Sequence, residues 1–180
     1  MMPRRAVAAA AAALLLTATL GVTGCMPEPE PTPTPTGFAS EAEAFAAAEE
    51  TYRAYVDALN QVDLSDPDTF EPVFAWTTGE ANAAARESFS QMHADGWTVG
   101  GQSTPTVVAP LDPVPGIEEI DVAVCVDVSS VTLVNASGAS VVAPDRRDVQ
   151  SMRFNLVAGE TPTGWIIERI SGRDGEPECV

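Results

Sequence analysis

Ile117-Glu118-Glu119-Ile120-Asp121-Val122-Ala123-Val124-Cys125-Val126-Asp127-Val128-Ser129 alternates with a period of two. Ile120, Val122, Val124, Val126 and Val128 share one face, and Asp121, Ala123, Cys125 and Asp127 share the other. A strand written this way buries one face and leaves the other wetter, as in an antiparallel sheet covered on one side. The chain changes character around it. Upstream, apolar residues recur at helical spacings, and downstream the alternation of two returns several times. Helices followed by strands predict an α+β domain.

Downstream, Val131–Val134 and Ala139–Val142 flank Asn135-Ala136-Ser137-Gly138, a hairpin signature. Gln150–Val157 sets Met152, Phe154 and Leu156 against Arg153 and Asn155, and Gly164–Ile170 reads as the last strand. In that strand Trp165, Ile167 and Arg169 share one face, and Ile166, Glu168 and Ile170 the other. Trp165 is the larger apolar group, so its face is expected to turn inward and to bring Arg169 with it. The opposite orientation would bring Glu168 inward instead. Immediately upstream, Trp97–Ala109 has β character with a bend or bulge at Gly100-Gly101, and Pro110–Pro115 reads as a loop.

Three helical segments precede the sheet. In Phe38–Asn60, Ser40 followed by Glu43 writes a capping box, and Phe38, Ala42, Phe45, Tyr52, Val56 and Leu59 form a stripe that Glu49 interrupts. Ser65-Asp66-Pro67 opens a second helix that Pro72 keeps short or broken. Glu80–Ala94 is the third, with Ala81, Ala85, Phe89 and Met92 as its buried stripe and Asp95-Gly96 as its stop.

Met1–Gly24 carries Arg4 and Arg5, then the apolar run Ala6–Leu16, which is the layout of a secretory signal peptide. The run is short for a transmembrane anchor, and Thr17, Thr19 and Gly21 interrupt it. Val22-Thr23-Gly24-Cys25 matches the lipobox of bacterial lipoproteins. It predicts cleavage before Cys25 and lipidation of that residue, placing the protein on the extracytoplasmic face of the cell membrane. Residues 26–37, MPEPEPTPTPTG, continue as a Pro/Thr-rich spacer. Alternating prolines favour polyproline II, with a reach of roughly 35–40 Å. The division is therefore a signal peptide at 1–24, the lipidated Cys and spacer at 25–37, and an α+β domain at 38–180.

Composition bounds the function. The chain has 26 acids against nine basic residues, all of them Arg, and a formal charge of −17. Without the leader the balance is 26 acids against 7 Arg, or −19. Such a surface repels nucleic acid and suits a solvated, exported domain. With Cys25 lipidated, Cys125 and Cys179 are left as an even pair, expected to bond in an oxidising compartment.

The order of elements resembles the nuclear transport factor 2-like superfamily, the cystatin-type cone that includes ketosteroid isomerase-like and SnoaL-like domains. Cys125-Val126-Asp127, Gly164-Trp165 and the terminal Cys179 further resemble secreted actinobacterial lipoproteins, over about residues 38–180. The resemblance implies three helices packed on a curved antiparallel sheet, with room for a pocket. It implies no activity, because that superfamily hosts enzymes, binders and scaffolds.

Few residues point to chemistry. Glu49 lies inside an apolar stripe, the setting of a general base, but Arg53 four residues on is a ready partner. His93 is the lone His, near a helix C-terminus. Glu118, Glu119, Asp121 and Asp127 lack calcium-loop spacing, and no Cys/His cluster offers a metal site. Arg146-Arg147 between Asp145 and Asp148 reads as a balanced charged loop, and Tyr52, Tyr55, Trp76 and Trp165 read as core or pocket lining. No GxSxG, P-loop, GxGxxG or HExxH occurs. The expectation is a non-catalytic domain that needs no metal or cofactor and binds a small apolar ligand or a protein partner. Glu49, Arg169 and Glu168 are its candidate pocket charges. The rivals are a SnoaL- or ketosteroid isomerase-like enzyme acting on a small apolar substrate, and a scaffold that pairs through its sheet.

Overall fold

A computed structural model describes residues 37–111 and 118–180. The expected signal peptide and lipobox with Cys25, all but the last residue of the expected spacer, and most of the Pro110–Pro115 stretch lie outside them. Helix α1 spans Glu41–Leu59, a 3-10 turn Pro67–Phe70 leads into the single-turn α2, Glu71–Phe74, and α3 spans Gly79–Ala94. Among the described residues six strands follow: β1 Thr98–Gly100, β2 Thr104–Pro110, β3 Glu119–Asp127, β4 Thr132–Val134, β5 Val149–Ala158 and β6 Trp165–Gly172.

Ser40 starts α1 by accepting the Glu43 N–H at 3.1 Å, while the Glu43 carboxylate takes the Ala39 N–H at 2.8 Å. The reciprocal contact of the capping box thus reaches one residue further back than Ser40 itself. Asp66 caps the 3-10 turn through the Asp68 N–H, with Pro67 at its first position.

Strands β2, β3, β5 and β6 form an antiparallel sheet in the order β2-β3-β5-β6. β3 and β5 pair without interruption from Glu119↔Val157 to Asp127↔Val149. β2 and β6 each carry an irregularity, at Thr106 and at Glu168, and such bulges bend a strand and sharpen its twist. The inner face packs on α1. Ala44, Ala48, Tyr52 and Val56 of the helix meet Val122, Val124, Phe154, Leu156, Trp165 and Ile167 of the sheet. Small Ala44 and Ala48, rather than Ala42 and Phe45, form the centre of the buried helix face, so the stripe is rotated from the one the larger residues suggest. Trp165 fits here because its indole N–H donates to the Ala44 carbonyl at 3.0 Å and Phe38 stacks on its ring at 5.0 Å. The result is an α+β fold: among the described residues, three helices against a curved antiparallel sheet.

The region read as one bent strand, Trp97–Ala109, is two strands in different sheets. Gly101 has φ +79, and a Cβ there would fall 2.0 Å from the Ser130 carbonyl oxygen, so only glycine makes the turn. Before the turn, β1 pairs with β4 as a separate two-stranded ribbon; after it, β2 joins the main sheet. The expected hairpin after β4 is present as a turn: the Asn135 side chain accepts the Ser137 and Ala139 N–H groups. Its second arm is reduced to one bridge, Val134↔Ser140.

On the outer face, Cys125 is 1% exposed because the C-terminal tail returns and Cys179 bonds to it, with Cα atoms 5.4 Å apart. Arg173 gathers the tail by donating to the carbonyls of Gly175, Glu176 and Pro177. The paired cysteines thus cover the wetter side of the central strand.

Candidate functional site

Most of the inner face of the main sheet is filled, and a recess of about 350 Å³ opens only toward its Ile170 end, beside Tyr55, Glu80 and Ala81 among the described residues. Trp165, Leu156, Ile167, Val122 and Val124 are fully buried there, and Tyr52 and Tyr55 fill the space under Phe154. Burial pushes the Tyr55 hydroxyl up to about 12 and raises the Tyr52 hydroxyl as well, so both are neutral at neutral pH. Tyr52 and Trp165 are core rather than pocket lining.

A larger open space lies at the other end of the helices. Beneath the β1–β4 ribbon is a cavity of about 580 Å³, within the range of about 300–1,000 Å³ usual for small-molecule sites. Leu59 at the end of α1, Val62 and Leu64 after it, and Phe89 and Met92 on α3 form one wall. Val99 and Leu133 of the ribbon, with Val131 and Val142, form the other. Gly100 and Gly101 leave the ribbon without side chains where it passes over the space. Asn60 closes one side through two hydrogen bonds to Ser103, its amide donating to the Ser103 carbonyl at 2.9 Å and accepting the Ser103 N–H at 2.8 Å.

Among the described residues the lining has one ionisable side chain, Arg146. Its Nη2 donates to the carbonyls of Val128 at 2.8 Å and Val131 at 3.0 Å, which ties the loop before β5 to the end of β3. His93 stands close by but outside the lining, its Nδ1 2.7 Å from the Leu64 carbonyl and its ring edge-on to Phe70. With an apolar wall, one cation held by main-chain carbonyls and no carboxylate or imidazole, the cavity can bind and orient an apolar molecule.

The three charges expected at a pocket are not together, and none lines this cavity. Glu49 is paired along the helix with Arg53 at 2.7 Å. The inward Arg169 did not materialise, because the bulge at Glu168 shifts the register between Leu156↔Ile167 and Asn155↔Arg169. Trp165 and Ile167 point inward, the parity then changes, and Ile170 replaces Arg169 on the core side, opposite Phe154. Glu168 pairs with Arg169 at 3.1 Å and lies against Gly79 at the start of α3. The bulge sits where Trp76–Thr78 covers the free edge of β6, with the Ile167 N–H donating to the Trp76 carbonyl and the Thr78 N–H to that of Ile167.

Arg169 instead joins a polar row on the outer face. It donates to Asn155 at 3.0 Å, Asn155 donates to Asp121 at 3.2 Å, and Arg153 is ion-paired with Asp121. Burial pushes the Asp121 carboxyl up, but the hydrogen bonds from Arg153 and Asn155 and the charges of Arg153 and Arg169 outweigh it and hold it below the usual carboxylate range. This row lines a second, polar recess of about 400 Å³ with Glu80 and Glu119. Among the described residues no three His, Cys, Asp or Glu side chains come together as a metal site, and no helix is long and apolar enough to cross a membrane.

Arg146 was missed in the sequence, where Asp145 and Asp148 make it look like part of a balanced surface loop. No local signal distinguishes it from Arg147, since its place at the cavity depends on the carbonyls of β3 and the turn after it.

No family model and no curated protein matches the chain. Among solved structures, it is similar to a proposed aromatic ring hydroxylase from Novosphingobium aromaticivorans, with 17% identity over 74% of this chain and 96% of that one and a TM-score of 0.48. It is similar to the intermembrane-space region of the chloroplast protein ARC6, with 13% identity over 71% and 94% and a TM-score of 0.49. It is also similar to a proposed polyketide cyclase from Xanthomonas campestris, with 13% identity over 71% and 90% and a TM-score of 0.36. At such identities the likeness lies in the path of the chain, and no activity is inferred from it.

Proposed function

We propose that the protein is a lipoprotein held on the extracytoplasmic face of the cell membrane through Cys25, whose domain binds a small apolar ligand without transforming it. The observation that carries the binding role is the cavity under the β1–β4 ribbon, whose described lining is mostly apolar and holds no carboxylate or imidazole. The anchor is supported by the leader, the lipobox ending in Cys25 and the Pro/Thr spacer. An isomerase-like reaction needs a general base over the substrate, and the inner face of the sheet, where such a group would stand, is filled by aliphatic and aromatic side chains. The division into leader at 1–24, anchor and spacer at 25–37 and binding domain at 38–180 belongs to the same proposal.

Two measurements test it. Cys25→Ser should move the protein from the membrane to the soluble fraction, whereas the wild type should resist salt washing, as a doubly acylated anchor does; a Ser variant still on the membrane removes the anchor. Nile red, a neutral apolar dye, should bind the wild-type domain at one site and lose that site in Leu133→Trp, which fills the cavity. Equal binding by a folded Leu133→Trp variant removes the cavity as the site.

A further inference from the structure

The guanidinium of Arg146 narrows the class of ligand, given that the apolar cavity is the binding site. The chain has 26 acids and nine arginines, and four of the described arginines find a carboxylate, while Arg146, Arg147 and Arg173 have none among the described residues. Arg53 pairs with Glu49, Arg86 with Glu71, Arg153 with Asp121 and Arg169 with Glu168. Arg146 pairs with none among the described residues, although Asp145 and Asp148 are its near neighbours in sequence. Nη2 is held by the Val128 and Val131 carbonyls, while Nη1 and Nε have no partner among the described residues. Arg146 is half-buried at the wall of a space otherwise bounded by Leu59, Phe89, Met92 and Leu133.

A cation fixed in position at an apolar surface, with its Nη1 donors unused among the described residues, is complementary to a carboxylate carried on an apolar body. The low dielectric of the wall strengthens that pairing relative to water. The strongly negative surface around it repels anions, so binding of an acid here has to come from this local arrangement rather than from general attraction. We infer that the cavity takes an amphiphilic organic acid, with Arg146 holding the carboxylate and the α1–α3 and ribbon walls holding the apolar part.

Displacement of Nile red from the wild-type protein by decanoate and by decanol, two probes of equal chain length, tests this directly. Decanoate should bind tighter by about tenfold or more, the scale of one charge-assisted hydrogen-bonded pair. Arg146→Gln should abolish the preference of decanoate over decanol, and Arg146→Lys should restore part of it. Equal affinity of the two probes for the wild type overturns the inference while leaving the apolar cavity in place. A preference that survives in Arg146→Gln overturns it too, because the acid is then recognised elsewhere. If neither probe nor Nile red binds, the cavity reading itself falls, and the inference with it. Should Arg146→Gln not fold, the wild-type ratio and the Lys variant still decide, since loss of the preference with charge retained is not expected.

Discussion

Helices α1 and α3 face two sheets, and the two interfaces came out differently. Toward β3, β5 and β6, α1 presents Ala44, Ala48, Tyr52 and Val56, and the strands send Trp165, Phe154 and Leu156 between them. Toward the β1–β4 ribbon, the same helices present Leu59, Phe89 and Met92, and the ribbon answers with Val99, Gly100, Gly101 and Leu133. The long strands supply a large side chain at every second position, so the first interface closes. The ribbon is three residues wide, from Thr98↔Val134 to Gly100↔Thr132, with glycine where it crosses the helices, and the second interface stays open. A filled core arises where strand length and side-chain volume match the helix face, and a cavity arises where they fall short.

The sharpest break of that comparison is a truncation on each side. Trp165→Ala should cost about 5 kcal/mol in chemical denaturation, because it opens a void, removes the stack on Phe38 and leaves the Ala44 carbonyl without its indole donor. Leu133→Ala, at a wall that already borders open space, should cost about 1–2 kcal/mol. Equal losses would mean that the two interfaces are packed alike.

Next in size is the staple on the outer face of the filled half. The Cys125–Cys179 bond closes a separation of 54 residues and should contribute about 4 kcal/mol on the chain-entropy model. Thiol labelling of unfolded, unreduced protein lacking lipid-free Cys25 should find none, and Cys179→Ser should lower stability without changing Nile red binding. Loss of the dye site together with the bond would show that the outer face supports the open half as well.

The smallest effect lies in the polar row. Asp121 has its folded-state value held down, so its contribution is present at neutral pH, where the carboxylate is ionised in both states, and is lost as pH falls through the ordinary carboxylate range toward the lowered value. Asp121→Asn should therefore flatten the fall in stability below about pH 4, while at neutral pH the variant is the less stable protein. An acid profile unchanged by the substitution would detach the row from the stability of the filled half.

Much of the filled half was legible in the chain, because its determinants are local and periodic. The alternation of Ile120, Val122 and Val124 survives as the buried row of β3, and Ser40 and Glu43 mark the start of α1 within a residue of where it begins. Trp165 was placed on the inner face by its size, as observed. Arg169 was assigned to that face by extending the same alternation, and a single inserted residue at Glu168 reversed it. A strand's parity is read from sequence only while its partner keeps register, and register is a property of the pair.

By itself, then, the sequence determined the class of fold, the order of helices and strands and the even pair of cysteines, since each depends on residues close together in the chain or on a count. The tertiary structure alone decided that Trp97–Ala109 would divide between two sheets at Gly101, that the space would open under the ribbon instead of under the main sheet, and that Arg146 rather than Glu49, Arg169 or Glu168 would stand at its wall. Those outcomes depend on which backbone passes within a few ångströms of which, such as the Ser130 carbonyl against Gly101 and the Val128 and Val131 carbonyls against Arg146, and no spacing along the chain encodes such approaches.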